Sequence, residues 1–331
     1  MTIGIAAGKL LLFGEHSAVY GSSAVGLGVP WRLKVRFTKI LKGDEGGAVA
    51  ERLRDAYRRI AVPFHPSPEG SLEVRSAIPC GVGLGSSAAL CVALSRAVGV
   101  KGHETTRLYR AAHRAEHAFH GSPSGVDTGL SILGGVQKFT RSDSYEIPVA
   151  EQISVSNLFL VVGYVPREGD TAAHVSAVRR RINAGESIVR SAIDRLGKIA
   201  QDACILLEAN DFSRASKLGF LADDAHDLLT IIGVGSTTVS ELLKIARFAG
   251  ATGGKISGGG GGGAFLAFVP DRETGIEVLN SIAKRLPLEG SAVGLLHVGM
   301  NEVTIVAESK WPEVVIRRIS LLDDGPGPTL A

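Results

Sequence analysis

A glycine-rich turn that runs directly into an apolar helix constrains the fold more than any other part of the sequence. The segment PCGVGLG, residues 79–85, excludes regular secondary structure, since proline and closely spaced glycines favour turns. The next residues, SSAALCVALSRAVG, are small or apolar on nearly every face, which predicts a helix that stops at Gly99. A helix without a polar face is buried on all sides, so the chain must build a layered core around it.

Strand and helix patterns elsewhere in the chain indicate a mixed fold. Strands are predicted at 31–37, 71–78, 158–165, 264–269, 291–298 and 302–307, and helices at 105–119, 171–230, 237–249 and 272–286. This mixture predicts an α+β sandwich. A polar stretch at 140–156 predicts a boundary between domains 1–150 and 151–310. The C-terminal extension, 311–331, is predicted to end in a disordered tail.

Composition narrows the classes of function. The 331 residues carry a formal net charge of only +3, which leaves no basic footprint for nucleic acid. No stretch of about 18 uninterrupted apolar residues occurs, and the N-terminus lacks the basic region of a signal peptide, so no membrane partner is expected. The three cysteines lack metal-like spacing and are odd in number. They indicate a reducing compartment, by default the cytoplasm.

The glycine turn has two interpretations when its residues are considered alone. Gly81, Gly83 and Gly85 allow close approach of the backbone, and a helix beginning at Ser86 and Ser87 directs free N–H groups toward the turn. That arrangement binds phosphate. The string is neither a Walker motif nor a dinucleotide-binding fingerprint, because it lacks Gly-Lys-Ser/Thr and has serine in place of the last glycine. An ordinary capped loop is the alternative.

Lys9 lies between Gly8 and a hydrophobic stretch near the N-terminus, in GKLLLFGEHSAVYG. A solvated surface charge is the ordinary interpretation of such a lysine. If the surrounding apolar residues bury it in part, it needs an anionic partner. Glu15 and His16 in the same segment are, taken alone, typical structural hydrogen-bonding residues.

Two carboxylates occur in EHAFHGSPSGVD, Glu116 on a predicted helix and Asp127 in a predicted loop. Such a pair can divide magnesium ligation from general-base or positioning work. The alternative is a surface glutamate and a helix-capping aspartate. His117 and His120 lie nearby, but neither their spacing nor the other available ligands fit a zinc site.

Six consecutive glycines, Gly258–Gly263, follow GGKIS and precede a predicted strand. A flexible linker is one interpretation of such a run. Its position inside a domain favours a second one, because the entropy lost by ordering six glycines needs a purpose. Backbone held close to a ligand phosphate is such a purpose.

In this order the four segments resemble the motifs of the GHMP kinase superfamily, over roughly residues 5–270. IPCGVGLGSSAAL resembles the phosphate loop of that family and GGKISGGGGGGAF its third motif. GKLLLFGEHSAVYG and HGSPSGVD are similar to the forms found in the mevalonate kinases. The resemblance implies a two-domain α+β fold with an N-terminal domain like ribosomal protein S5 domain 2 and a ferredoxin-like C-terminal domain. The active site would lie between them.

The resemblance also implies a role for each motif residue. Asp127 and Lys9 would be catalytic, with Lys9 beside the transferred phosphoryl group, and Ser87 and Glu116 would hold Mg²⁺. ATP would contact Ser76, Gly81, Val82, Gly83, Leu84, Gly85, Ser86, Ser87, Gly258, Gly259 and Gly260. Mevalonate would contact Glu15, His16, Arg167 and Thr171. A cation, a metal and a helix N-terminus together supply the charge neutralisation that phosphoryl transfer requires.

The implied reaction is ATP-dependent phosphorylation of the 5-hydroxyl of (R)-mevalonate. Two alternatives stay open: a kinase of this superfamily acting on phosphomevalonate, homoserine or a sugar, and a non-catalytic homologue that binds ligand. A homodimer is compatible with the resemblance. The sequence departs from the family pattern at Ala7, Ser257, Gly259 and His226, and in the longer spacing from Arg167 to Thr171. Because of that spacing, the resemblance determines the identity of the acceptor alcohol less closely than it determines the use of ATP.

Overall fold

Two antiparallel sheets organise the chain. The computed structural model describes residues 2–38, 48–61, 70–100, 105–121, 123–141, 146–169, 171–209, 211, 213–286, 289–300, 302–312 and 315–320. Within these ranges every strand pairing is antiparallel. None of the described helices combines the length and the apolar character needed to cross a membrane.

The first sheet is built mainly from the N-terminal half. Its strands are β1 (Thr2–Phe13), β2 (Ala24–Thr38), β3 (Ser71–Ser76), β4 (Val136–Thr140), β5 (Val149–Ile153) and β11 (Val315–Ser320). The order is β11-β3-β2-β4-β5, and β1 pairs with the long strand β2. The predicted alternation at 31–37 is confirmed within β2, where Leu33 and Val35 are buried and Arg32 is exposed.

Among its described residues this half has four α-helices: α1 (Ala48–Ala61), α2 (Ser86–Ala97), α3 (Thr105–Glu116) and α4 (Val126–Leu133). The prediction of a buried helix after the glycine turn is confirmed, because α2 is buried from Ala88 to Ser95. It lies directly on β1 at Gly4, where a Cβ atom would fall 1.8 Å from the carbonyl oxygen of Ala93. Only glycine permits that approach.

The second sheet has the order β10-β9-β6-β8-β7. Its strands are β6 (Leu158–Arg167), β7 (Gly253–Ile256), β8 (Gly262–Val269), β9 (Ala292–Val298) and β10 (Val303–Ser309). The helices of this half are α5 (Thr171–Asn183), α6 (Ser187–Glu208), α7 (Arg214–Ile231), α8 (Thr237–Phe248) and α9 (Arg272–Ala283). The predicted elements from 158 to 307 are therefore present, with 171–230 divided into three helices.

The boundary placed at residue 150 falls inside β5, which pairs with β4. The first sheet thus extends to Ile153. Part of the segment assigned to a C-terminal extension also belongs to this sheet, because β11 pairs with β3. Just before it, Trp311 stacks on Trp31 with ring centroids 3.5 Å apart. The predicted disordered tail lies outside the described residues.

Candidate active site

The phosphate loop, residues 79–87, is anchored on β1. Gly81, Gly83 and Gly85 all have positive φ, between 75° and 89°, as the turn requires. The amide of Lys9 donates to the carbonyl oxygen of Leu84 at 2.9 Å. At Gly85 a Cβ atom would lie 2.5 Å from Lys9 Cγ, so the loop can reach this position only with glycine. The turn therefore sets the N-terminus of α2 beside the Lys9 side chain.

Lys9 is buried and forms an ion pair with Asp127, with 3.0 Å between Nζ and Oδ2. The surface-charge interpretation of Lys9 is thus excluded, and the anionic partner that burial demands is present. Asp127 lies in the first turn of α4 and not in a loop, which corrects the sequence interpretation. A carboxylate there is favoured by the helix dipole. Its side chain is 36% exposed, so one face of the pair is open to a ligand.

Glu116 ends α3 and is buried, so it is not a surface glutamate. The hydroxyl of Thr128 donates to its Oε2. Burial and, to a smaller extent, the nearby negative charge of Asp127 raise the pKa of the Glu116 carboxyl from 4.5 to about 7. The Thr128 hydrogen bond and the Lys9 charge oppose the shift. Glu116 is therefore held where a cation would be needed to keep it fully ionised near neutral pH.

The raised pKa predicts how stability depends on pH when no metal ion is present. The folded protein binds this proton more tightly than the unfolded chain, so the Glu116 contribution to the free energy of unfolding falls as pH rises from 4.5 to about 7. Glu116→Gln, which resembles the protonated acid, should match the wild type at low pH and exceed its stability by about 3 kcal/mol above neutrality. Urea unfolding in EDTA, at low pH and above neutrality, measures the free energy of unfolding of the wild type and of the variant.

The matched control for this prediction is Glu151→Gln, because that carboxylate is 62% exposed in an ion pair with Lys138. Its stability difference from the wild type should vary little with pH. A Glu116→Gln difference that is equally independent of pH would contradict the assignment of the shift to burial.

Ser87 and Glu116, the two residues implied for Mg²⁺, are linked through one turn of chain. The Ser87 hydroxyl and His120 Nε2 are hydrogen-bonded at 3.1 Å, and the amide of His120 donates to the carbonyl oxygen of Glu116 at 2.9 Å. In the part of the chain that the structure describes, no cluster of three or more histidine, cysteine or carboxylate side chains could hold a metal. One hydroxyl and one carboxylate fit Mg²⁺, which takes its other ligands from phosphates and water.

The glycine run, Gly258–Gly263, connects β7 to β8 of the second sheet, with its last two glycines inside β8, and it is not a linker between domains. Positive φ occurs at Gly258, Gly260, Gly261, Gly262 and Gly263. At Gly261 a Cβ atom would lie 2.0 Å from the His174 ring. The amide of Ala264, just after the run, donates to the carbonyl oxygen of Val82 at 2.6 Å. The run and the phosphate loop therefore meet, as the resemblance implied for two segments around one nucleotide.

His16 follows β1 with a positive φ of 59°. Burial lowers the pKa of its imidazole to about 4, so the ring is neutral at physiological pH. Among the described residues its Nε2 has no hydrogen-bond partner. A buried ring nitrogen of this kind can meet a polar group of a ligand.

Glu15, beside His16, is buried and pairs with Lys255 of β7. The sequence interpretation assigned no role to Lys255. The signal was its position among the small and apolar residues of GGKIS, because a lysine that is buried needs an acidic partner. Thr128 and His174 were missed as well. They contact other residues of the site, and such a contact leaves no pattern in the local sequence.

Three further expected site residues differ in what the structure shows. The Ser76 hydroxyl donates to the carbonyl oxygen of Ile78 at 2.8 Å and accepts from its amide, so it shapes the entry to the phosphate loop. The Arg167 guanidinium lies against both loops, 2.7 Å from a Cβ position at Gly83. Thr171 begins α5, and its side chain lies outside the described residues.

The structure explains the role of His226, one of the departures from the family pattern. Its Nδ1 accepts from the amide of Ile256 at 3.3 Å, so Nε2 carries the proton that is shared with Ser240 at 2.9 Å. Burial lowers the pKa of this ring, which favours its neutral form. His226 therefore joins α7 to β7 and α8.

Comparison with known proteins decides the family. The model of the GHMP kinases N terminal domain matches residues 46–135, and that of the GHMP kinases C terminal domain matches residues 203–288. The mevalonate kinase of Thermococcus onnurineus is 30% identical, over 85% of this chain and 92% of the relative. The chain belongs to the GHMP kinase family. The mevalonate kinase of Pyrococcus horikoshii, 31% identical over the same shares, supports this membership.

Solved structures show the GHMP kinase fold over nearly the whole chain. A mevalonate kinase of L. major in complex with R-mevalonate superposes with a TM-score of 0.76 and 23% identity, covering 91% of this chain and 97% of that one. A phosphomevalonate kinase of Streptococcus pneumoniae gives 0.70 and 13% identity, covering 93% and 99%. The predicted two-domain α+β fold is thus confirmed. As a GHMP kinase the chain is an ATP-dependent phosphotransferase.

Proposed function

We propose that this GHMP kinase transfers the γ-phosphoryl group of ATP to the 5-hydroxyl of (R)-mevalonate, with Mg²⁺ as the metal ion. The observation that carries the proposal is the ion pair between the buried Lys9 and the partly exposed Asp127, at the junction of the phosphate loop and α4. Several relatives of about 30% identity that the chain matches over most of its length are mevalonate kinases, which favours mevalonate as the alcohol.

The nucleotide would lie between the phosphate loop and the glycine run. Free amides at the N-terminus of α2 face the loop, and they favour the negative charge of a triphosphate. Gly258 offers a second stretch of backbone on the opposite side, because a Cβ there would meet no atom within 4 Å and leaves the approach open. Ser87 and Glu116 would hold Mg²⁺, which neutralises charge on the β- and γ-phosphates when bound.

Asp127 would orient the attacking hydroxyl and accept its proton. The hydroxyl oxygen forms the new bond to the γ-phosphorus, the bond from that phosphorus to the β–γ bridging oxygen breaks, and ADP leaves. Lys9, 3.0 Å from Asp127, adds a positive charge beside the transferred group without itself needing to gain or lose a proton. The two residues thus supply positioning and charge, the main demands of this chemistry.

The acceptor would be held on the side of Asp127 away from the phosphate loop. The neutral His16 ring presents an Nε2 that has no partner within the described residues, which suits an alcohol or carboxylate oxygen. Arg167 would meet the acceptor carboxylate, and Thr171 would contact the same molecule. A homodimer and a cytoplasmic location stay predictions.

A panel of acceptors tests the proposed function. Purified protein, ATP and Mg²⁺ are combined in turn with mevalonate, phosphomevalonate, homoserine and galactose, and ADP release is measured beside phosphorus NMR of the product. Mevalonate should give the highest kcat/KM and yield a phosphate monoester. Faster turnover of another acceptor would overturn the choice of alcohol, and ADP release that no acceptor stimulates would overturn the kinase assignment.

A further inference from the structure

A buried ion pair connects the turn after β1 to β7 of the second sheet. Lys255 Nζ donates to Glu15 Oε1, and the two residues are separated by 240 positions in the chain. Both side chains are excluded from solvent, at 0% and 1% exposure. Because burying two charges is expensive, such a pair survives only where its geometry is well satisfied. Lys255 meets this condition by also donating to the carbonyl oxygen of Ile256 at 2.8 Å.

The segment that Lys255 begins leads straight into the glycine run. Ser257, two residues on, donates its hydroxyl to the carbonyl oxygen of Leu11 in β1 at 2.8 Å. The backbone of Gly258 lies close to the Glu15 carboxyl and, after Lys255, helps to oppose the rise in its pKa that burial causes. The start of the run is therefore held against the N-terminal half, through Ser257 at Leu11 and through Gly258 near Glu15.

The Glu15 carboxylate is held by one side-chain partner, Lys255. One carboxylate oxygen accepts from Lys255, and the other is buried with no side-chain or backbone partner among the described residues. The position of this carboxylate is therefore set by Lys255.

We propose that Glu15 and Lys255 are a positioning pair that fixes the glycine run for the triphosphate of ATP. The inference rests on the proposed function only through the use of ATP, since the identity of the alcohol does not enter it. Loss of the pair should free Gly258–Gly260 to move relative to the phosphate loop. Nucleotide affinity should then fall while acceptor affinity stays.

The test compares Glu15→Gln, Lys255→Met and the double variant. Glu15→Gln leaves the Lys255 ammonium buried without its anion, and Lys255→Met leaves the Glu15 carboxylate buried without its cation, so each single variant should have a lower Tm. The double variant removes both charges and should recover much of the lost Tm. In the double variant, KM for ATP and Kd for a non-hydrolysable ATP analogue should rise by roughly tenfold, with KM for the acceptor unchanged. Glu15→Asp keeps the charge on a shorter side chain, so it should bind ATP more tightly than Glu15→Gln does.

Leu279→Ala is the control for a purely structural effect. Leu279 is buried in α9, and its truncation should lower Tm without raising KM for ATP. A rise in KM for the acceptor in the double variant, or no change in Kd for the analogue, would overturn the proposal. Analogue binding needs no acceptor, so this outcome is distinguishable from failure of the acceptor panel, which is measured on the wild type.

Discussion

Replacing Asp127 with asparagine is expected to lower kcat by about 10²–10⁴-fold, because asparagine keeps the shape of the side chain but cannot accept a proton from the alcohol. The ion pair with Lys9 at 3.0 Å is lost in the same change, which leaves Lys9 buried without its anion. Affinity for ATP should change much less, since the amides at the N-terminus of α2 are untouched. Steady-state kinetics with ATP and mevalonate, and calorimetry with ATP alone, separate the two effects.

Asp224→Asn is the matched control. It makes the same chemical change in an ion pair with Arg195 that is also 3.0 Å long, but both side chains are more than half exposed. Exposed pairs contribute little, so kcat and Tm should stay close to those of the wild type. If Asp127→Asn retained a kcat comparable to that of this control, Asp127 would not be the catalytic carboxylate.

Gly85→Ala is expected to lose stability and most of its activity together. Gly85 has φ of 75°, where a side chain costs about 1–2 kcal/mol. The added Cβ would also lie 2.5 Å from Lys9 Cγ, so Lys9 has to move away from Asp127. Displacing a catalytic group by about 1 Å costs on the order of 10²-fold in rate. Thermal unfolding and kcat measure the two losses separately.

Gly99→Ala isolates the backbone contribution to this prediction. Gly99 lies just beyond the other end of α2 with φ of 97°, and a Cβ there meets nothing within 4 Å. This control should lose stability by a similar amount and keep its kcat. Should Gly85→Ala lose stability without losing kcat, the packing of Lys9 against the phosphate loop would not matter for catalysis.

Much of the secondary structure was predictable because its signals are local. The alternation in β2 and the apolar, glycine-bounded α2 can be recognised within a dozen residues. The helix α4 was not recognised, because Gly129 at its centre weakens its intrinsic preference. That glycine sits where a Cβ would come 2.4 Å from the Tyr109 hydroxyl and 2.5 Å from the Phe139 ring. Packing from distant parts of the chain decides that these residues are helical.

The sequence by itself determined which residue types are available for the chemistry: glycines where backbone must approach a ligand, a lysine among apolar residues, one carboxylate at the end of α3 and another shortly after it. Only the tertiary structure decided which of them meet. Lys9 faces Asp127, whereas Glu15 is drawn inward to Lys255 across the two sheets. The physical reason is that a buried charge takes the partner that the sheet topology brings within reach, and sheet topology is set by long-range packing that no short motif records.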